Sequence, residues 1–178
     1  MYIYNKKLMK TIFETDRLYI TTIESENDII ALYENIYNNN ENLSFLNFKE
    51  KFTLNNLRLK LLLYRKYYKV DLGIYIAKNK INNEIIAEAS FFNTFDNILT
   101  PEIGYIINKP YWNKGYGTEL VRGMIDYLFL KKIEVIYARI NANNIHSSAV
   151  CLNNGFSELS KELLDNGIIR QTLIIKRT

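Results

Sequence analysis

The sequence predicts one α/β domain of the α+β type, with about seven strands in a mixed sheet and helices on both of its faces. Strand-like and helix-like apolar patterns follow one another in the order β α α β β β α β α β β. No Pro-, Gly- or Ser-rich linker and no internal repeat divides the 178 residues, a length that suits one domain with a full core. This mixed order favours helices packed on a sheet over a regular doubly wound fold.

Local residue patterns place the individual elements. Runs rich in β-branched and aromatic residues predict strands at residues 17–23, 72–78, 84–92, 102–107, 135–140 and 169–175, with a seventh before the turn at 164–168. Apolar residues at helical spacing predict helices at residues 29–36, about 48–67, 118–131 and 147–153. Ser25 and Asp28 are spaced as in a capping box, and Gly155 is placed to end the last helix. Only the strand–helix–strand unit at 102–140 requires a parallel pair.

Composition and charge exclude several classes of protein. A single cysteine, Cys151, and a single histidine, His146, rule out an intrachain disulfide and argue against a zinc site, so no metal is predicted. The net charge of +4 is mild and no long basic run occurs, so we expect no nucleic-acid partner. The chain has no apolar run of membrane-spanning length, and its start does not resemble a signal peptide. These features favour a cytoplasmic protein with no membrane partner.

Residues 111–120, YWNKGYGTEL, join a predicted strand to a predicted helix. The start of a helix leaves backbone N–H groups without partners, and the helix dipole adds a positive potential that suits phosphate. Gly115 and Gly117 have no Cβ atoms to block a ligand, and Lys114 adds a charge. The spacing matches neither a Walker A loop nor the dinucleotide fingerprint. The glycines alone therefore leave two interpretations open, an anion-binding loop and an ordinary tight turn.

The sequence around this loop resembles the GNAT acetyltransferases. Residues 103–120, IGYIINKPYWNKGYGTEL, are similar to motif A of that family, most of all in the branch of ribosomal-protein alanine N-acetyltransferases. Residues 144–147, NIHS, followed by GF at 155–156, match a second motif, and ETDRL at 14–18 resembles the start of these domains. The likeness covers residues 13–175. It implies a single acetyltransferase domain at residues 13–178, preceded by a flexible extension at residues 1–12, and a mostly antiparallel sheet with one splayed parallel pair.

The resemblance also implies acetyl-CoA as the acyl donor. In the family the pyrophosphate lies on loop N–H groups and the pantetheine arm pairs with the strand before the loop. An arm with two amides needs such a free strand edge, which would arise if the strand at 135–140 diverged from the strand at 102–107. The residues implied to contact the cofactor are Ile106, Ile107, Asn113, Lys114, Gly115, Tyr116, Gly117, Thr118 and Asn144.

Two residues are candidates for catalysis. Transfer to an amine needs a base for the ammonium proton, and Glu102 stands at the strand start where related enzymes often have a glutamate. Ser147 corresponds to the serine that the branch uses as the partner of the CoA sulfur, and an N–H near Ile106 would hold the carbonyl oxygen. For Glu102 the alternative is an exposed carboxylate or a substrate anchor, and for Ser147 it is a hydroxyl that bonds backbone. Cys151 is expected to be a small buried apolar residue.

The resulting expectation is an acetyl-CoA-dependent N-acetyltransferase, in which a primary amine attacks the thioester directly in a ternary complex. The acceptor is expected to be a protein N-terminus, as in the similar branch, or a small amine. A non-catalytic acyl-CoA-binding module of the same fold stays open, because the tyrosine that many members carry four residues after Ser147 is Cys151 here. Nucleic-acid binding through the basic aromatic patch at 64–69 is a weaker alternative. The chain is expected to be a monomer or a homodimer.

Overall fold

A computed structural model of the protein describes residues 10–46, 51–94 and 97–177. The strands are β1 (Thr11–Glu14), β2 (Leu18–Thr21), β3 (Gly73–Asn79), β4 (Ile85–Thr94), β5 (Asn97–Ile107), β6 (Val135–Asn141), β7 (Ser157–Leu163) and β8 (Ile169–Lys176). The α-helices are α1 (Glu26–Leu32), α2 (Leu54–Arg65), α3 (Tyr116–Leu130) and α4 (Ile145–Asn153). A π-helical turn, Tyr33–Tyr37, extends α1, and a 3₁₀ turn, Lys66–Val70, extends α2.

The eight strands form one mixed sheet in the order β1-β2-β3-β4-β5-β6-β8-β7. Neighbouring strands are antiparallel except for β5 and β6, which are the parallel pair that the crossover through α3 predicts. The α+β fold class is therefore confirmed, with one strand more than expected. The additional strand is β1, whose four residues carry too short a pattern to predict a strand. Thr11 pairs with Thr21, so the sheet begins within the predicted extension, whose residues 1–9 lie outside the described part.

Two cores cover the two faces of the sheet. One packs α3 and α4 against β-strand side chains that include Tyr75 and Phe91, and the other packs α1 and α2 against Ile74 and Ile76. Successive strand residues point to opposite faces, so adjacent residues of β3 belong to different cores. This arrangement places β5 in the middle of the sheet, with α3 against it on one face, while α1 lies against the neighbouring strand β4.

The predicted caps are confirmed. Ser25 and Asp28 form a capping box at the start of α1, and Asp28 also accepts a bond from the buried Lys78 Nζ at 2.8 Å. This cap therefore fixes α1 to strand β3 as well as ending the helix. The second helix begins at Leu54, later than predicted, with a reciprocal pair between Thr53 and Asn56, while residues 47–50 lie outside the described part. Gly155 follows α4 with φ +91°, a conformation that glycine adopts without strain.

Helix α3 lies unusually close to strand β1 at Gly123. A Cβ atom at this position would lie 2.7 Å from Cγ2 of Thr15 and 2.8 Å from Cε2 of Phe13. We expect Gly123→Leu to lower the free energy of unfolding by about 1–3 kcal/mol, because the added side chain would force the helix and the strand apart. Chemical denaturation measures the change. The same replacement at the exposed Asp126, three residues along the helix, is the control and should have little effect; equal losses for both variants would contradict the close approach.

Candidate active site

Strands β5 and β6 part soon after they meet. Among the described residues they pair only at Glu102 and Tyr137, whereas β6 remains paired with β8 over its whole length. β6 therefore turns away from β5 and takes β8 and β7 with it. The divergence leaves a gap in the middle of the sheet, which is closed at Glu102 and opens toward Ile107. This is the splayed pair that the family resemblance implies.

The backbone groups that face the gap belong to Tyr105 and Ile107. Asn108 donates its N–H to the carbonyl of Ile86 in β4, and the ladder between β4 and β5 runs without a shift from Ile107 back to Pro101. Since hydrogen-bonded and non-hydrogen-bonded pairs alternate along an antiparallel ladder, Ile106 bonds to β4 and its two neighbours face β6. Of the two strand residues expected to contact the cofactor, Ile107 therefore has its backbone groups toward the gap, whereas those of Ile106 are turned to β4. The Ile107 carbonyl already accepts a bond from Nε1 of Trp112 at 2.7 Å.

The loop at the open end of the gap has free N–H groups. The first hydrogen bond of α3 joins the Glu119 N–H to the Gly115 carbonyl, and no side chain caps the helix. The N–H groups of residues 116–118 therefore have no partner in the part of the chain that the structure describes. Asn113 and Gly115 both have positive φ, +58° and +80°, and this alternation turns the N–H groups toward one side. The loop has the form of an anion site at a helix N-terminus.

Arg17 fixes this loop to the start of the domain. Its Nε lies 2.5 Å from Oε2 of Glu119, its Nη1 donates to the Lys114 carbonyl at 3.0 Å, and its guanidinium stacks 3.9 Å from the ring centre of Tyr116. Burial alone would raise the pKa of Glu119, but hydrogen bonds from Thr15 and Arg17 lower it below its ordinary value of 4.5. The carboxylate is thus charged at neutral pH and holds Arg17 in place.

A cavity of about 420 Å³ lies between the gap, the loop and α4. It brings together eight of the predicted site residues: Ile106, Ile107, Asn113, Gly115, Gly117, Thr118, Asn144 and Ser147. Lys114 and Tyr116 are not among its lining residues, because the Lys114 ammonium lies over Tyr111 and the Tyr116 hydroxyl accepts from Asn79. We call this space the donor cavity, because it contains the loop and the strand edge predicted to bind the acyl donor.

The segment that follows α1 forms another wall of the donor cavity. Phe45 and Leu46 line it, and Asn42 holds the segment in place. The Asn42 amide donates to the Ile36 carbonyl at 3.0 Å and accepts from the Lys109 N–H at 2.8 Å. This buried asparagine therefore connects the end of the first helical stretch with the exit of β5.

Asn144 and Ser147 lie at the start of α4, on the opposite wall. Asn144 caps the helix, with its Oδ1 accepting from the Ser147 N–H at 3.1 Å. The Tyr105 hydroxyl lies 3.3 Å from Oγ of Ser147, and burial raises the pKa of Tyr105, so this phenol keeps its proton at neutral pH. Ser147 thus faces the cavity with a tyrosine hydroxyl beside it, although the tyrosine comes from β5 and not from α4.

Cys151 has no chemical role in this arrangement. It is buried in the core under α4, and burial raises the pKa of its thiol to about 12. Nucleophilic catalysis requires the thiolate, which is negligible at neutral pH with such a pKa. The prediction of a buried apolar residue is confirmed.

Glu102 lies outside the donor cavity. Its Oε2 is 2.5 Å from Nε of Arg139, and both residues line a second cavity of about 540 Å³ beside the closed end of the gap. Four residues separate it from Ile106 on the same face, roughly 13 Å along an extended strand. Contact between this carboxylate and a group at the donor cavity therefore depends on an acceptor that bridges the two spaces, or on water.

The structure assigns roles to residues that the sequence interpretation missed. Asn154 joins α4 to α3, because its amide donates to the Thr118 carbonyl at 3.2 Å and accepts from Nε of Arg122 at 3.1 Å. Arg17 and Tyr105 were already part of the quoted motifs ETDRL and IGY, so the motifs themselves were the available signal. Asn42 lies in an Asn-rich segment that gives no signal of its own.

Comparison with known proteins identifies the family. A family model described as the acetyltransferase (GNAT) domain matches residues 17–157, so the chain belongs to the GNAT acetyltransferases. No curated protein matches the sequence at a significant level. The gap, the N–H loop and the donor cavity are thus features of an acetyltransferase domain.

Solved structures share the fold at low sequence identity. A GNAT-family acetyltransferase from Bacillus anthracis is 20% identical, with a TM-score of 0.77 over 92% of this chain and 96% of that one. The ribosomal-protein-S5-alanine acetyltransferase from Vibrio fischeri is 19% identical, with a TM-score of 0.76 over 96% and 97%. AAC(6′)-Ib, solved with ribostamycin and coenzyme A, is 20% identical, with a TM-score of 0.74 over 91% and 94%.

Two further findings concern the described residues. They contain no group of three or more side chains arranged to hold a metal ion. None of their helices is both long enough and apolar enough to cross a membrane.

Gly117 tests whether the loop binds coenzyme A. A Cβ atom there would lie 3.6 Å from Val150 and 3.7 Å from Tyr105, an ordinary contact, so Gly117→Ala should bind coenzyme A like the unmodified protein. An indole has no such room and would cover the N–H groups. We expect Gly117→Trp to lower the affinity for coenzyme A at least tenfold, which corresponds to the loss of about one charge-assisted hydrogen bond. Isothermal titration measures both variants, and an unchanged affinity of a folded Gly117→Trp would contradict the assignment.

A substitution of Arg17 tests whether the contacts that hold the loop in place contribute to the binding of coenzyme A. Arg17→Gln removes the bond to Lys114 and the contact with Tyr116, so we expect coenzyme A to bind several-fold more weakly, about 1 kcal/mol. Arg58→Gln in helix α2, which removes an exposed ion pair with Glu26 of helix α1, is the control and should not change the affinity.

The stability that the pair of Arg17 and Glu119 contributes should also depend on pH. Because the folded pKa of Glu119 is lowered, its contribution to stability is complete above the ordinary carboxyl value of 4.5 and is lost as pH falls through the lowered pKa. The difference in stability between the unmodified protein and Arg17→Gln should therefore shrink in acid. A difference that does not change with pH would contradict the role of Glu119.

Proposed function

We propose that this acetyltransferase is an N-acetyltransferase that uses acetyl-CoA and transfers the acetyl group to a primary amine. The observation that carries the proposal is the position of the free N–H loop at the open end of the gap between β5 and β6. A phosphate group on the loop and an extended amide chain along β5 would be bound by one continuous surface. The similar protein AAC(6′)-Ib has been solved in complex with coenzyme A, which is consistent with this donor.

The residues of the donor cavity fit such a molecule. The N–H groups of residues 116–118 suit a pyrophosphate, because no side chain caps them. The gap-facing groups of Tyr105 and the N–H of Ile107 suit the amides of a pantetheine arm. Lys114 and Asn144 stay predicted contacts, the first through charge and the second from the start of α4.

In the proposed reaction the neutral amine attacks the thioester carbonyl, a C–N bond forms, and the C–S bond breaks. A strand N–H that points into the gap would stabilise the oxyanion, and the best placed groups are those of Tyr105 and Ile107. The Ser147 hydroxyl, beside the protonated Tyr105, would donate to the sulfur as it leaves. Glu102, at the closed end of the gap, would accept the proton of the ammonium, directly or through water.

The proposal also concerns the branch of the GNAT family and the class of the acceptor. The motif resemblance favours the ribosomal-protein alanine N-acetyltransferases. One similar structure is a ribosomal-protein-S5-alanine acetyltransferase, while another contains ribostamycin. All of these relatives share about one fifth of their residues with this chain or fewer. Both a protein N-terminus and a small amine are therefore included in the test.

Turnover with acetyl-CoA tests the function. Free-thiol release is measured with a panel of small amines and of peptides that begin with Ala or Ser, and we expect release above the rate without acceptor. Glu102→Gln should lower kcat/KM by about 100-fold, within the range for loss of a general base, and should remove the acidic limb of the pH–rate profile. Tight binding of coenzyme A with no turnover across the panel would support the non-catalytic module instead.

A further inference from the structure

We infer that the acceptor is a primary amine with a single positive charge and an apolar or aromatic body, and that it binds in the second cavity. This inference rests on the proposed N-acetyltransferase function and adds the chemical class of the acceptor. Three independent features of the cavity support it: its position, its walls and its charge.

The second cavity, here called the acceptor cavity, lies where the reaction needs an acceptor. Its lining includes Glu102, the residue at which β5 and β6 still pair, and Arg139, two residues further along β6 than Tyr137. The donor cavity includes Ile106 at the open part of the same gap. A donor that enters along β5 from the loop and an amine from the acceptor cavity would therefore meet within the gap from opposite ends.

Four of the nine described residues that line the acceptor cavity are aromatic. Tyr64 packs edge-on against Phe92 with ring centres 5.4 Å apart, and lies 6.0 Å from the ring of Tyr67. Leu63 and Leu72 complete the apolar surface. Aromatic faces bind apolar bodies through their area and attract an ammonium group through the ring quadrupole. The walls thus suit an apolar amine better than a polyhydroxylated one.

The charges of the described lining favour an acceptor with one ammonium group over an acceptor with two. Its described lining residues include one carboxylate, Glu102, which is paired with the Arg139 guanidinium. The nearby Glu88 is no alternative, because it is buried, its carboxylate bonds to Tyr37, and Lys60 Nζ lies 3.1 Å from it. The described lining therefore offers a second ammonium group no further carboxylate, and burying a charge without a counterion is costly.

The surface beside the acceptor cavity also disfavours polycations. The helical segment from Leu54 to Val70 contains five basic residues and no acidic residue. Two of its leucines, Leu62 and Leu63, are exposed by 70% and 63%. The basic residues would disfavour the approach of a polyamine or an aminoglycoside more than that of a monoamine, whose apolar body would meet the two leucines.

Matched amines test the inference. 2-Phenylethylamine and 1,4-diaminobutane have similar lengths, but the first has an aromatic body and one charge, and the second has two charges. With acetyl-CoA we expect kcat/KM to be at least tenfold higher for 2-phenylethylamine, which corresponds to about 1.4 kcal/mol. Equal or better turnover of 1,4-diaminobutane or of spermidine would overturn the inference and leave the proposed function intact.

Variants of the cavity wall locate the binding site. Tyr67→Ala should raise KM for 2-phenylethylamine about tenfold without changing KM for acetyl-CoA. Tyr19→Ala, in strand β2, is the control, because both tyrosines are 37% exposed and only Tyr67 lines the cavity. Equal KM values for the two variants would place the amine elsewhere and overturn the inference.

A binding measurement separates failure of the inference from failure of the function. Saturation-transfer NMR of 2-phenylethylamine with the protein and coenzyme A needs no turnover. Signal that Tyr67→Ala removes and Tyr19→Ala keeps supports the acceptor cavity, even if no amine is acetylated and the proposed function fails. No signal with the protein saturated by coenzyme A overturns the inference.

Discussion

The divergence of β5 from β6 is the constraint on which the rest of the structure depends. The two strands pair at Glu102 and Tyr137 and then separate, because β6 stays fully paired with β8 on its other side. A sheet interior normally satisfies its backbone groups strand by strand. Here the groups of Tyr105 and Ile107 face a gap, and their proposed partners are the amides of an extended ligand. The proposed function thus uses the centre of the sheet as a binding surface.

The elements around the gap are held by a few long-range polar contacts. Arg17, from the turn after β1, supports the loop before α3, and Asn42 fixes the segment after α1 to the exit of β5. Asn154 joins α4 to the first turn of α3. Each contact ties one wall of the donor cavity to a different part of the chain. An N–H loop that is fixed in this way loses little entropy when an anion binds.

The sequence predicted the fold class and most of the elements, because their apolar periods are strong and local. It missed β1, whose pattern covers four residues, and it placed the start of the second helix too early. It also selected Ile106 as the backbone donor, although the ladder with β4 turns that amide away from the gap. The direction in which an amide points depends on the register with the partner strand. The residues of β5 alone do not determine that register.

The sequence alone determined the family and predicted the anion-binding loop, since YWNKGYGTEL and its neighbouring motifs are contiguous and their chemistry is local. Only the tertiary structure decided what surrounds them. Arg17 reaches Lys114 across 97 positions of sequence, and Glu102 meets Arg139 in a cavity separate from Ser147. These contacts arise from strand order and divergence, so no local pattern could predict them. The residues proposed to bind the acyl donor can therefore be predicted from the sequence, whereas those proposed to bind the acceptor are brought together by packing.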